Sequence, residues 1–359
     1  MLKYVGLVCL LSAAVVAQAA RIPEMPPVPQ PPRGVAGVLV NCNTGQSIQA
    51  AVDASTAPAQ ILIAGICTEN VLIRDKDISL RGIQNPSLDG IRSATASLPA
   101  LTVRGSAIAT MTGLSFSNSP GAGAAVRGGA NITFTNCRFE GDNVGLRVDS
   151  GSFVIGNGLT FTGNANSNAN ASDAQFFCIG CDVNGGGPAA VATRGAIVSL
   201  LDSVVTGGFG LVSQDRSSSA DIDCVTIDTP HACSMNVSQF AALGVAGGTA
   251  SLFGAGAFSG QVIADDRGTV RLDGAQQTGG LPNIADNLGE IIVAPLVDPP
   301  AQSILRGAQA AHFARVLLTG DSMLTGSIQC SGAGDAFLDP AVTVAPGSTV
   351  TGCEHASVP

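Results

Sequence analysis

The chain has 359 residues, 45% of them hydrophobic and 12% charged, with a formal net charge of −9. This much apolar material excludes a disordered chain. The acidic balance gives no general attraction for nucleic acid or for an anionic membrane, so we expect no nucleic-acid partner.

Residues 1–20 have the pattern of a secretory signal peptide. Lys3 supplies a positive start, an apolar run follows, and Ala17-Gln18-Ala19 resembles a cleavage site. Cleavage removes Lys3 from the 17 basic residues and leaves 16 against 26 acidic ones, a net charge of −10. We therefore predict a secreted or cell-surface protein with no transmembrane segment in the mature chain.

Residues 21–39 are rich in proline and predict an extended linker. The following residues, 40–355, are predicted to form one domain.

A repeated pattern dominates that domain. Ile132 and Phe134 alternate with threonines, as in a half-buried strand, but after Asn136 the apolar positions resume at Cys137 and Phe139 in the opposite phase. A bend at Asn136 explains the change, because a chain that turns a corner changes the parity of its inward-facing residues.

The same pattern of two apolar residues, a turn residue and a further apolar pair recurs about every 20 to 24 residues. The predicted copies are Ala109/Met111/Gly113, Phe153/Ile155/Asn157, Val198/Leu200/Asp202, Ala220/Ile222/Cys224, Ala250/Leu252/Gly254 and Val270/Leu272/Gly274. Such a unit, with short strands and little helical periodicity, is typical of a β-solenoid. We predict an all-β, right-handed parallel β-helix of roughly a dozen coils.

Cysteine spacing fits this interpretation. Residues one coil apart lie within disulfide reach, and the predicted pairs are Cys42–Cys67, Cys330–Cys353, Cys224–Cys233 and Cys178–Cys181. The last pair is a C-x-x-C motif, for which a redox site is the alternative. Cys137 is left as a buried free thiol.

The stretch from Ser47 to Gly82 resembles the N-terminal cap and first coil of right-handed parallel β-helix proteins of the pectin lyase-like superfamily. Ser47 to Ala54 matches the short capping helix, and Gly65, Cys67, Glu69, Asn70 and Val71 match the segment that follows the first strand, with Ile78, Leu80 and Gly82 in the final apolar strand. The resemblance in architecture covers about Val40 to Cys353.

The resemblance implies action on polyuronates or related polysaccharides for members that are enzymes. The tryptophan-containing signature of pectate lyases is absent from a chain without Trp. Of the galacturonase motifs only the Asp265-Asp266 pair is present, and the methylesterase and alginate epimerase motifs are missing. This sequence therefore contains no complete set of the catalytic motifs that the resemblance would imply.

One charged group is nevertheless predicted on the outer face of a sheet. Asp221 and Asp223 alternate with inward residues, and Arg271 and Asp273 occupy the matching positions in a later coil. Two carboxylates about 7 Å apart could bind calcium or flank a glycosidic bond, and an arginine could recognise a uronate. The alternative is a charged patch on a solvated sheet. The strand of Asp221 and Asp223 is flanked by further candidates that are open to the same two interpretations: Asp215, Arg216, Asp228 and His231.

Other candidates are weaker. The histidines, His231, His312 and His355, are isolated in sequence, which disfavours a histidine metal site. Residues 163–189 interrupt the repeat and form either an extra irregular coil or a projecting loop.

Two functions remain open. The first is binding or cleavage of an extracellular or cell-surface, uronate-type polysaccharide by a lyase or glycoside hydrolase, with calcium as the one cofactor considered. The second is a non-enzymatic adhesin or structural rod. The sequence leaves the oligomeric state undetermined.

Overall fold

The computed structural model describes residues 37–56, 58–224, 233–279, 281–297, 300–354 and 356–357. The predicted signal peptide, most of the predicted linker, Asp228, His231 and His355 lie outside these residues. The described chain forms a parallel β-solenoid of about 14 turns, which confirms the predicted fold class. No helix among the described residues is long and apolar enough to cross a membrane.

Each regular coil contributes one strand to each of three parallel ladders. The first sheet contains the longest strands of most coils and carries the predicted Asp and Arg residues. Its strands are Val38–Asn41, Ala59–Ala64, Asp77–Gly82, Ile108–Thr112, Asn131–Thr135, Phe153–Asn157, Gln175–Ile179, Ile197–Leu201, Ser219–Asp223, the beginnings of Thr249–Ala264 and Thr269–Gln277, then Glu290–Ala294, Arg315–Leu318, Asp335–Leu338 and Ala356–Ser357.

The second sheet follows the first after a sharp corner. Its strands are Ile66–Thr68, Gly90–Arg92, Ser115–Ser117, Arg138–Glu140, Thr160–Thr162, Asp182–Gly185, Val204–Gly207, the beginning of Ser234–Val245, the middle of Thr249–Ala264, the end of Thr269–Gln277, Ile304–Leu305, Met323–Leu324 and Thr343–Val344.

The third sheet completes each coil. Its strands are Val71–Arg74, Leu101–Arg104, Ala122–Arg127, Val144–Asp149, Ser167–Ser172, Ala190–Thr193, Leu211–Gln214, the ends of Ser234–Val245 and Thr249–Ala264, then Asn283–Ala285, Ala308–Ala310, Ile328–Cys330 and Val350–Thr351. Leu296–Val297 and Pro300–Ala301 form a separate antiparallel pair.

Inward-facing side chains stack on their equivalents in neighbouring coils. Phe116, Phe139 and Phe161 form one such column, with ring centroids 5.2 Å and 5.0 Å apart, and all three are fully buried. Stacked aromatic rings of this kind add favourable packing to the area that they bury. The core is therefore continuous along the stack.

The corner between the first and second sheets is made by single residues with a left-handed backbone. Asn136 has a φ of 49°, and its N–H donates to Asn157 O in the next coil at 2.8 Å. Glycine or aspartate fills this position in other coils, at Gly113, Gly158, Gly180, Asp202, Gly254 and Gly274. The prediction that Asn136 marks a corner is confirmed.

One copy of the repeat was predicted out of register. Phe153 and Ile155 pair with Asn131 and Thr133, so they face outward, and the corner is Gly158 instead of Asn157. Phe153 is the equivalent of Asn131, 22 residues earlier, whereas the apolar pattern had aligned it with Ile132, 21 residues earlier. The prediction was wrong because large apolar residues also occur on the outer face of this coil.

Residues 163–189 form an ordinary coil. Strands at Ser167–Ser172 and Gln175–Ile179 pair with the coils before and after them. Of the two alternatives, the projecting loop is thus not observed. The β-helix also begins at Val38 and extends to Ser357, slightly beyond the predicted limits of 40 and 355.

The structure contains four disulfides, and they join the expected pairs. Cys42–Cys67 and Cys330–Cys353 each connect neighbouring coils, with Cα separations of 4.9 Å and 4.6 Å. Cys178–Cys181 and Cys224–Cys233 are local bridges. Among the described residues one further cysteine remains, Cys137, which is a buried free thiol, and burial raises its pKa to about 12. Four disulfides indicate folding in an oxidising, extracytoplasmic compartment.

A short helix, Ile48–Ala54, packs at the first coil, with Ser47 as its N-cap. The carboxylate of Glu69, one coil further on, accepts hydrogen bonds from the N–H groups of Ile48 (2.7 Å) and Gln49 (3.1 Å) and from Ser47 Oγ (2.8 Å). Lys76 Nζ donates to the carbonyl of Val52, near the other helix end, at 2.7 Å. Opposite charges therefore stabilise the two ends of the helix dipole.

The corner predicts a difference between two substitutions of Asn136, whose side chain is exposed. Asn136→Gly should leave the free energy of unfolding nearly unchanged, because glycine adopts positive φ freely. Asn136→Val should lower it by about 1–2 kcal/mol or more, because a β-branched residue is strained there. Urea unfolding of both variants tests this, and equal stability of the two would contradict the assignment.

The helix cap predicts a second effect. Glu69→Ala should destabilise the protein by about 2 kcal/mol, because three donors at the helix N-terminus lose their acceptor. Hydrogen exchange of residues 48–54 should accelerate. The matched control is Glu140→Ala, an exposed carboxylate on the second sheet that pairs only with Arg138, and it should cost less than about 1 kcal/mol.

Candidate functional site

The predicted charged residues lie on the outer face of the first sheet in the expected register. Asp221 pairs with Ser251 and Ser251 with Arg271, while Asp223 pairs with Phe253 and Phe253 with Asp273. One strand therefore separates the two charged strands, which places them about 10 Å apart along the stack. The structure brings all four residues onto one surface.

Within this surface Arg271 is already engaged. Its Nε donates to Asp273 Oδ2, and its guanidinium lies 5.9 Å from the centroid of the Phe253 ring. Asp273 is nearly fully buried, and its Oδ1 has no hydrogen-bond partner. Burial raises the pKa of Asp273, and Arg271 partly opposes that rise. Arg271 is thus already a counter-ion of Asp273 through its Nε.

Asp221 has the electrostatics of a proton donor. Ser199 Oγ donates to Asp221 Oδ2 at 2.6 Å. Burial raises the pKa of Asp221 to about 6, with a further contribution from the charge of Asp223, while the hydrogen bond from Ser199 lowers it. A carboxyl group with this pKa holds a proton under mildly acidic conditions.

Among the described residues, no further acidic, histidine or cysteine side chains join Asp221 and Asp223 in a group that could hold calcium. Calcium takes six to eight oxygen atoms, and one oxygen of Asp221 is already bonded to Ser199. Among the described residues, no group of three or more His, Cys, Asp and Glu side chains is arranged to hold a metal ion. Calcium at Asp221 and Asp223 stays a prediction.

A second charged surface was not predicted. A pocket of about 430 Å³ opens at the edge of the third sheet. It is lined by Arg127, Arg147, Asp149, Ser150, Ser172, Asp173 and Arg194. These residues come from the ends of neighbouring strands and from the corners that follow them, so successive coils each contribute one to three polar side chains.

The pocket is dominated by arginine. The Nε of Arg147 donates to Asp149 Oδ2 at 2.7 Å, which neutralises one of the two carboxylates. The side chains of Arg127 and Arg194 are exposed, and neither takes part in an ion pair among the described residues. Two guanidinium groups are therefore free to bind an anion.

A signal for this pocket was present in the sequence. Arg127 and Arg147 are 20 residues apart, and Arg147 and Arg194 are 47 apart, close to one and two coils. Apolar periodicity and paired carboxylates do not reveal arginines that recur at the coil spacing, so this pocket was not predicted. The pocket and the surface around Asp221 lie on different sheets and in different coils, and the structure does not bring them together.

Comparison with known proteins supports the fold. Residues 70–227 match the family model described as "Right handed beta helix region". No curated protein matches the chain. The predicted resemblance to right-handed parallel β-helix proteins is thereby confirmed, as is the coil architecture.

Two solved structures are similar. The A-module of the mannuronan C-5 epimerase AlgE4 from Azotobacter vinelandii is 14% identical, with a TM-score of 0.34, over 91% of this chain and 98% of that one. The catalytic unit of a thermostable GH87 α-1,3-glucanase from Streptomyces thermodiastaticus strain HF3-3 is 14% identical, with a TM-score of 0.28, over 91% of this chain and 70% of that one. At this similarity neither structure carries a functional argument. The chain is a parallel β-helix protein, and its residues 70–227 match the model of a right-handed β-helix region.

Proposed function

We propose that this protein binds an acidic, uronate-type polysaccharide outside the cell, with the arginine pocket as the binding site. The observation that carries the proposal is the convergence of Arg127, Arg147 and Arg194 on one pocket in a chain of net charge −9. The planar guanidinium group matches a carboxylate with two parallel hydrogen bonds. An acidic protein that concentrates arginine in one pocket has a local preference for anions.

The remaining lining suits a sugar. Ser150 and Ser172 supply hydroxyl groups at the pocket, which can exchange hydrogen bonds with sugar hydroxyls. The chain has no Trp, and its one Tyr is Tyr4 in the predicted signal peptide, so aromatic stacking by those residues does not contribute. Recognition therefore rests on charge and should weaken as salt is added.

The binding role by itself corresponds to an adhesin or a structural rod. A second candidate function, cleavage of the bound polymer, rests on the raised pKa of Asp221. Asp221 and Asp223 alternate on one strand, about 7 Å apart, within the range for the acid and base of an inverting glycosidase. In this hypothesis Asp221 protonates the leaving oxygen and Asp223 activates water.

The binding proposal predicts that polygalacturonate and alginate bind and that a neutral dextran does not. Arg127→Ala/Arg194→Ala should reduce the affinity by at least about 100-fold, since each charged hydrogen bond contributes about 1.5–3 kcal/mol. Calorimetry at low and high salt measures this. Arg92→Ala, an exposed arginine on the second sheet, is the matched control. Equal binding by the double variant and the wild type would refute the site.

Asp221 generates a separate prediction about pH. Burial raises the folded-state pKa of Asp221 to about 6, above the ordinary aspartate value of 3.8. Between these two pH values the folded protein therefore holds a proton that the unfolded chain releases. Stability should therefore fall as pH rises from about 4 to 6 and stay lower above 6. Asp221→Asn should remove this dependence and stabilise the protein at pH 7 by roughly 2–3 kcal/mol.

Thermal unfolding from pH 4 to 8 measures that change, with Asp77→Asn, an exposed carboxylate on the same sheet, as the control for charge removal. Reducing-end assays on the same variants test the cleavage hypothesis. Turnover by the wild type that persists in Asp221→Asn would exclude Asp221 as the general acid.

A further inference from the structure

Three arginines form a column beside the pocket. Arg74, Arg104 and Arg127 occupy aligned positions on three successive strands of the third sheet. Neighbouring strands are about 4.8 Å apart, and like charges at opposed positions destabilise a sheet. The fold therefore tolerates a local repulsion that a bound anion would relieve.

None of the ion pairs among the described residues includes Arg74, Arg104 or Arg127. Arg74 and Arg127 are exposed, and Arg104 is half-buried with an Nε that has no hydrogen-bond partner. Asp75 follows Arg74 in sequence, but its Oδ1 accepts hydrogen bonds from the N–H (2.9 Å) and Oγ (3.3 Å) of Ser106. That carboxylate is committed to the corner.

The column leads directly into the pocket. Arg127 is the last arginine of the column and also lines the pocket. On the next two strands of the third sheet, the positions aligned with Arg127 are occupied by Asp149 and then Ser172, which line the pocket too. Asp149 is neutralised by Arg147. Arg194 follows the strand that pairs with Ser172. From the strand of Arg74 to the strand before Arg194 there are five steps between strands, about 24 Å.

We infer that the arginine column and the pocket form one continuous strip that binds a long polyanionic polysaccharide lying parallel to the direction of coil stacking. This inference rests on the proposed function and specifies its ligand as a polymer of at least about five sugar units. One sugar unit of an extended chain is about as long as the rise between coils, about 4.8 Å. A regular polyanion can thus present one charge to each successive arginine, whereas a short oligosaccharide in the pocket leaves Arg74 and Arg104 without a partner.

The test is a length series. Oligogalacturonates from dimer to octamer are titrated against the wild type, Arg74→Gln/Arg104→Gln and the matched control Arg81→Gln/Arg92→Gln. The control removes the same charge from exposed arginines on the other two sheets. Affinity of the wild type should rise at least about tenfold between trimer and hexamer and then level off, because the strip is filled.

The variants separate the strip from the pocket. Arg74→Gln/Arg104→Gln should lose about tenfold in affinity for the hexamer and bind the trimer as the wild type does. The Arg81/Arg92 control should bind both as the wild type does. Thermal unfolding of each variant confirms folding, which exposed and partly exposed side chains should not disturb.

Each of the other possible results contradicts either the extended strip or the proposed function itself. If trimer and hexamer bind equally and both depend on Arg127, the strip is wrong and the proposed function stands. If no uronate of any length binds, both fail. Dextran sulfate in parallel distinguishes carboxylate from sulfate recognition, and column-dependent binding of single-stranded DNA as tight as that of the hexamer would refute a polysaccharide ligand.

Discussion

The register between successive coils is the constraint on which this structure depends. Each strand pairs with its equivalent one coil away, so every side chain lies about 4.8 Å above and below its counterparts. Phenylalanine stacks on phenylalanine in the core, and one residue with positive φ stands above another at the corner that contains Asn136. A single error in this register would turn the inward residues outward.

The same register concentrates charge on the outer surface. A residue type that recurs once per coil becomes a column, so Arg74, Arg104 and Arg127 form a cationic line although the whole chain is acidic. In a globular fold, residues 53 positions apart need no spatial relation. In a solenoid they are two coils apart, and a ligand with its own regular repeat can contact them all.

The two charged surfaces differ in how far their charges are already satisfied. Around Asp221, the hydrogen bond from Ser199 and the pair between Arg271 and Asp273 satisfy much of the local charge. Around the pocket, the guanidinium groups of Arg127 and Arg194 form no ion pair among the described residues. An ionic ligand binds most strongly to charged groups that do not already have a protein partner, so the pocket is the better candidate for binding an anion. The surface at Asp221 is a candidate for proton transfer alone.

The sequence by itself determined the repeat, the corner at Asn136, the register of Asp221 with Arg271 and the pairing of the cysteines. The first three and two of the disulfides follow from the coil repeat, and the other two disulfides, Cys178–Cys181 and Cys224–Cys233, join cysteines that are close in sequence. Tertiary structure alone decided which large apolar residues face outward, such as Phe153, since inward and outward faces of a tightly stacked coil can carry the same residue types. It also decided that Arg271 is paired with Asp273, whereas Arg194 forms no ion pair with any of the described residues. Spacing places side chains in a column, but only packed coordinates show which partners lie within bonding distance.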